Sequence, residues 1–169
     1  QLKIDAGNGK WEQIPTMEEV FDLLQERLKE NLRLNIELKN SVVPYEGMEE
    51  AIVDLVRRKG LQESVMYSSF YAFSLERLRK LAPASELGIL DGKVSDCLYK
   101  RNGGCGADAL HPYWRGMDLS RKELEGLTVR AYFSGHLYPE KPTGTRLDLD
   151  ALEKLGITDV ILNEPEAYL

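Results

Sequence analysis

The stretch Leu32-Arg33-Leu34-Asn35-Ile36-Glu37-Leu38-Lys39 holds the residues best suited to chemistry. Apolar and polar residues alternate along it. In a strand, Leu32, Leu34, Ile36 and Leu38 point one way, and Arg33, Asn35, Glu37 and Lys39 the other. A carboxylate and an ammonium then project together. Glu37 could offer oxygen to a hard cation. Lys39 could hold a phosphate oxygen as a point charge. In a half-solvated antiparallel sheet this pattern is ordinary. In a parallel sheet both faces are normally covered, so a charged inner face must pair, bind a metal or bind a ligand.

Other candidates are sparse. The chain has two histidines, His111 and His136. His111 follows a strand pattern and precedes Pro112, so it could face a site; its plainer role is a rim histidine with ordinary hydrogen bonds. His136 lies in the Gly- and Pro-rich stretch Gly135–Arg146, where a solvated loop residue is the ordinary reading. General acid–base work needs a group within about 3 Å of the transferred proton. Trp114, Tyr132 and Tyr138 could wall a pocket, or pack in the core or rim. A lone Glu37 cannot fill the roughly six oxygen positions that magnesium or calcium prefers. Gly103-Gly104-Cys105-Gly106 lacks the lysine and hydroxyl of a P-loop. Cys97 and Cys105 match neither a zinc knuckle nor a CxxC pair. Two free thiols in a reducing compartment, the cytoplasm, is the plainer reading; a structural disulfide is the alternative.

These side chains need elements to hold them. Thr16-Met17-Glu18-Glu19 is a capping box after Pro15. Met17, Val20, Phe21, Leu24 and Leu28 continue it as an apolar stripe at helical spacing. A strand over 32–39 follows. The pattern then predicts a helix over 46–59 stopped by Gly60, a strand over 64–69, a helix from Ser74 to Pro83 and a strand over 86–90. A short helix over 94–99 and a strand over 108–110 come next. Ser120-Arg121-Lys122-Glu123 is a second capping box, expected to open a helix ending at Gly126. Strands over 128–133 and 158–162 flank a helix over 149–155. Six strands thus alternate with six helices, and the first element is a helix. Such alternation argues for a parallel sheet with crossover helices, closed as a barrel or doubly wound.

The 169 residues suggest one domain with a sizeable core. A hydrophobic content of 43% and a charged content of 30% fit a globular protein. The net charge of −6 gives no general attraction for nucleic acid or an anionic membrane. No apolar run approaches the roughly 20 residues a membrane helix needs. A full (β/α)₈ barrel takes about 250 residues, some two strand–helix units more than this.

Several blocks resemble the glycerophosphodiester phosphodiesterase family. Asn35-Ile36-Glu37-Leu38-Lys39 looks like its N-[IV]-E-[IL]-K strand, and Ile14-Pro15-Thr16-Met17-Glu18-Glu19-Val20 resembles the I-P-T-L-E-E-V helix start before it. Val65–Phe70 is similar to the next strand, which ends in S-F. Gly106–Pro112 and Gly156–Pro165 resemble later blocks, the last being like G-V-D-G-I-I-T-D-x-P. The blocks occur in family order along nearly the whole chain.

The resemblance implies an α/β, TIM-type (β/α) barrel, incomplete and lacking its first two strands, as a single domain over 1–169. It implies hydrolysis of glycerophosphodiesters to glycerol phosphate and an alcohol with a divalent metal, magnesium or calcium. Glu37 would be a metal ligand. Lys39 would contact phosphate. Phe70, Tyr132 and His111 would touch substrate. The family's H-R-G and E-x-D strands, with the acid–base histidines and other metal carboxylates, have no counterpart before Ile14. Its W-T-V-N strand end reads Tyr132-Phe133-Ser134-Gly135, and Asn163 stands where an aspartate is common. The expectation is a chain inactive alone. The alternatives are a non-catalytic relative that binds a phosphoryl ligand or a partner, and an unrelated doubly wound ligand-binding domain. An open barrel would expose two strand edges, so a homo-oligomer completing it is a further expectation.

Overall fold

A computed structural model describes residues 3–5, 9–133 and 147–162. His136, Tyr138, the stretch Gly135–Arg146 and Asn163 lie outside the described residues. The chain opens with two short antiparallel strands, β1 (Lys3–Asp5) and β2 (Trp11–Gln13), so the first element is not the expected helix. Helix α1 (Met17–Glu30) then begins at its capping box. The Thr16 hydroxyl accepts from the Glu19 amide at 3.3 Å, and the Glu19 carboxylate accepts from the Thr16 amide at 2.7 Å.

Next come β3 (Leu34–Glu37), α2 (Met48–Lys59), β4 (Val65–Ser69), α3 (Ala72–Leu81), β5 (Leu87–Asp91), α4 (Val94–Lys100), β6 (Ala109–Pro112), β7 (Thr128–Tyr132), α5 (Leu149–Lys154) and β8 (Asp159–Ile161). Strands β3 to β8 form one parallel sheet in strictly sequential order. A doubly wound sheet reverses its strand order at a switch point; this one never does. The arrangement is therefore of the barrel type.

The sheet is curled. Arg130 on β7 reaches the Met66 sulfur on β4 at 3.9 Å. Those strands are three spacings apart, roughly 14 Å on a flat sheet. The two side chains meet because they share a concave face. The opposite face packs on the helices. Leu38, Tyr67, Leu87, Ile89, Leu110 and Val129 are buried there, with Leu34 and Ile36 packed against them. The alternation read in the sequence is thus realised: leucines and isoleucine toward the helices, Asn35 and Glu37 toward the concavity.

Three further expectations change. Ser120 and Glu123 make the capping-box hydrogen bonds, but 121–126 is a run of turns and not an α-helix. Its backbone bonds run mainly three residues back, from Glu123 to Ser120, Leu124 to Arg121 and Glu125 to Lys122, and Gly126 ends the run at φ 77°. Ser74 does not start α3; it sits inside it, fully buried. Helix α4 runs on into a π turn over Arg101–Cys105, which Gly104 breaks at φ 95°. Cys97 and Cys105 are free, buried thiols, with no disulfide between them.

Candidate functional site

The C-terminal ends of the strands converge on one mouth. Glu37 ends β3 and Lys39 follows it. Lys39 Nζ lies 2.7 Å from Glu37 Oε1. The pair was expected to be desolvated. Instead the Lys39 side chain is 77% exposed and that of Glu37 29%. The reason is position: β3 is an edge of the sheet, so no described strand covers its outer side. A water-screened pair like this contributes at most about 1 kcal/mol. It can therefore open cheaply and offer the ammonium to an incoming anion.

Aromatic side chains form the opposite wall. The ring of Phe70, just past β4, meets that of Tyr132 edge-on at 6.2 Å. Tyr132 also lies 5.5 Å from the ring of Tyr113. Burial raises the Tyr132 pKa, and Cys97, Asp91, Tyr113 and, least of all, Glu37 add to this. Trp114 touches Tyr113 edge-on at 6.4 Å, stacks on Phe133 at 5.0 Å and carries Arg115 over its ring at 4.8 Å. Lys100 braces Phe70 from outside: its ammonium donates to the Phe70 carbonyl at 3.0 Å and pairs with Asp91 at 2.6 Å.

His111 departs from expectation. It lies within β6, not at the rim, and only 1% of it is exposed. Burial, with help from Arg130, depresses its pKa to about 4 against weaker pulls from Glu86 and Asp159. It is a neutral imidazole below the mouth, and not a group that reaches into it.

A buried network escaped sequence reasoning. The Glu49 carboxylate accepts from Asn40 Nδ2 at 3.2 Å, Ser74 Oγ at 2.5 Å and Arg77 at 3.1 Å. The Ser69 hydroxyl donates to the Leu38 carbonyl at 2.9 Å and accepts from the Tyr71 amide at 3.0 Å. Burial alone would raise the Glu49 pKa; the Ser74 hydroxyl, its own backbone and Arg77 outweigh it and hold the value low. These bonds fasten Leu38 and Asn40, the neighbours of Lys39. The sequence signal was slight: Glu49 reads as one more surface acid in a helix's first turn.

Among the described residues, no three His, Cys, Asp or Glu side chains converge. One carboxylate already paired to a lysine does not make a cation site, so the described residues do not by themselves fit the expected metal. No described helix is long and apolar enough to cross a membrane.

A scan against models of protein families finds no match. Individual relatives are clear. A glycerophosphodiester phosphodiesterase of Caldanaerobacter subterraneus subsp. tengcongensis is 28% identical over 174 aligned residues, covering 99% of this chain and 67% of its own length. One from Bacillus altitudinis is 32% identical over 68% of this chain and 46% of its own. A solved protein from Galdieria sulphuraria, named for the same family, superposes with a TM-score of 0.73 at 24% identity, covering 96% of this chain and 65% of its own. A phosphodiesterase of Oleispira antarctica, solved with sn-glycerol-3-phosphate as product, superposes with a TM-score of 0.61 at 23% identity, covering 88% of this chain and 57% of its own. The chain thus spans between about half and two thirds of these proteins. Ordered sequence blocks, a sequential curled parallel sheet and relatives aligned along nearly its whole length agree on one likeness: this chain is similar to glycerophosphodiester phosphodiesterases.

Proposed function

We propose that this chain supplies the phosphate-contacting side of a glycerophosphodiester phosphodiesterase site. The observation that carries the reading is the Glu37–Lys39 pair at the end of β3, with Lys39 exposed, on the same rim of strand ends as the Phe70–Tyr132 ring contact. Lys39 would leave Glu37 for a phosphoryl oxygen, a stronger, more highly charged acceptor. Glu37, released, would give one oxygen to a divalent cation. Phe70 and Tyr132 would shield the ester from water. The Oleispira relative's product makes sn-glycerol-3-phosphate the natural ligand to try.

Hydrolysis is a separate matter. His111 is buried and neutral, so it is not placed to move a proton at the mouth. We therefore read this chain alone as a binder of phosphorylated small molecules without turnover above background. Calorimetric titration with sn-glycerol-3-phosphate tests the first part. Lys39→Met should weaken binding about tenfold, roughly 1.4 kcal/mol. Equal binding by the variant would refute the role of Lys39. Incubation with glycerophosphocholine and magnesium or calcium tests the second; turnover abolished in Glu37→Ala would overturn the reading of an inactive chain.

A further inference from the structure

Beneath the mouth lies a polar pair that no described residue satisfies. Ser68 Oγ, His111 Nδ1 and His111 Nε2 are buried and have no hydrogen-bond partner among the described residues. Ser68 is fully buried and His111 1% exposed. Neighbouring hydroxyls show that this is not the rule here. Ser69 and Ser74, equally buried, are both hydrogen-bonded. A buried polar group left unpaired costs about 1–3 kcal/mol, so three such atoms in one place call for a partner.

The sheet register brings them together. Glu37, Ser68, Gly88 and Ala109 are successive partners across β3, β4, β5 and β6. The imidazole of His111 lies directly on Gly88: a Cβ at that position would collide with three of its ring atoms. The ring therefore occupies the place in the row that a side chain of residue 88 would take, next to Ser68 and two strands from Glu37. Neighbouring strands are about 4.8 Å apart. One oxygen with hydrogen bonds of about 2.8 Å to each side spans up to roughly 5.6 Å. A neutral imidazole has one donor and one acceptor, and a serine hydroxyl has both. Two to four polar partners are what a buried water needs.

We propose that Ser68 and His111 hold a single hydroxylic guest on the concave face of the sheet, a water molecule or the hydroxyl of a polyol. The site stands apart from the phosphodiester reading, since a water held there requires no phosphate binding at the mouth.

Magnetic resonance on the isotopically labelled chain tests this. Magnetisation would be transferred selectively from water to the His111 ring protons, first in buffer and then with glycerol or sn-glycerol-3-phosphate added. The expected result is a cross-peak from a long-lived water in buffer, lost in Ser68→Ala. If a polyol erases that peak and brings one of its own, the guest is the polyol hydroxyl. If the water peak persists beside the polyol, the guest is water. Absence of both peaks in the unsubstituted chain overturns the proposal without any variant having to fold, and so does an undiminished water peak in Ser68→Ala.

Discussion

At the scale of single residues, the informative contrast is between Glu37 and His111. Strict alternation made the direction of Glu37 readable, because period 2 assigns faces without knowledge of the fold. His111 was not readable in the same way. Its burial depends on a glycine one strand away, and Gly88 in a sequence looks like any other glycine. That burial has a consequence for pH. The pKa of His111 falls from an ordinary 6.5 to about 4 in the folded chain. Arg130 pushes it down, while Glu86 and Asp159, the acids facing it, pull it up less. Above pH 6.5 folded and unfolded forms are both neutral there. As pH falls, the unfolded chain takes up the proton first, so stability is lost between about pH 6.5 and 4 and the loss levels off below. The shift corresponds to about 3 kcal/mol. Urea unfolding across this range should show the decline, and His111→Asn should flatten it. A parallel decline in the variant would show that other groups are responsible.

At the scale of elements, two identical-looking capping boxes had different fates. Thr16–Glu19 opens a helix of 14 residues whose stripe buries Phe21 and Leu28. Ser120–Glu123 forms the same hydrogen bonds and leads only to turns. The cap is a local signal; how the chain continues depends on where it must turn, and Gly126 turns it six residues after Ser120. Helices α2 and α3 illustrate what no local signal carries. They are joined through Glu49, Ser74 and Arg77, separated by 25 to 28 positions in sequence, and through Asn40 they reach the Lys39 segment. Glu49→Ala should strand Asn40 and Ser74 in a buried site and lower stability by about 3 kcal/mol. Glu49→Gln, which keeps an accepting oxygen, should cost less. Denaturant midpoints of the two variants check the order. A loss of under about 1 kcal/mol in Glu49→Ala would show the network to be incidental.

At the scale of the whole molecule, the open sheet sets the terms. Among the described residues β3 pairs only with β4, and β8 only with β7. The order of strands was legible because each crossover unit declares its own helix and strand. What meets the two edges was not, because that is a question about partners outside the alternating pattern. An unpaired strand edge is a template for another chain. In β3 the amides of Leu34 and Leu38 donate to Ser64 and Ser68 on one side. By alternation the amides of Asn35 and Glu37 point to the other, open side. The expectation is self-association through this edge. Asn35→Pro removes one outward donor and leaves the bonds to β4 in place, which is where strands tolerate proline. Light scattering over a range of concentrations should therefore give masses above 19.2 kDa for the unsubstituted chain and a shift toward that value in Asn35→Pro. Circular dichroism would confirm that the variant keeps its helices. A constant 19.2 kDa for the unsubstituted chain at every concentration would rule the β3 edge out as a pairing surface.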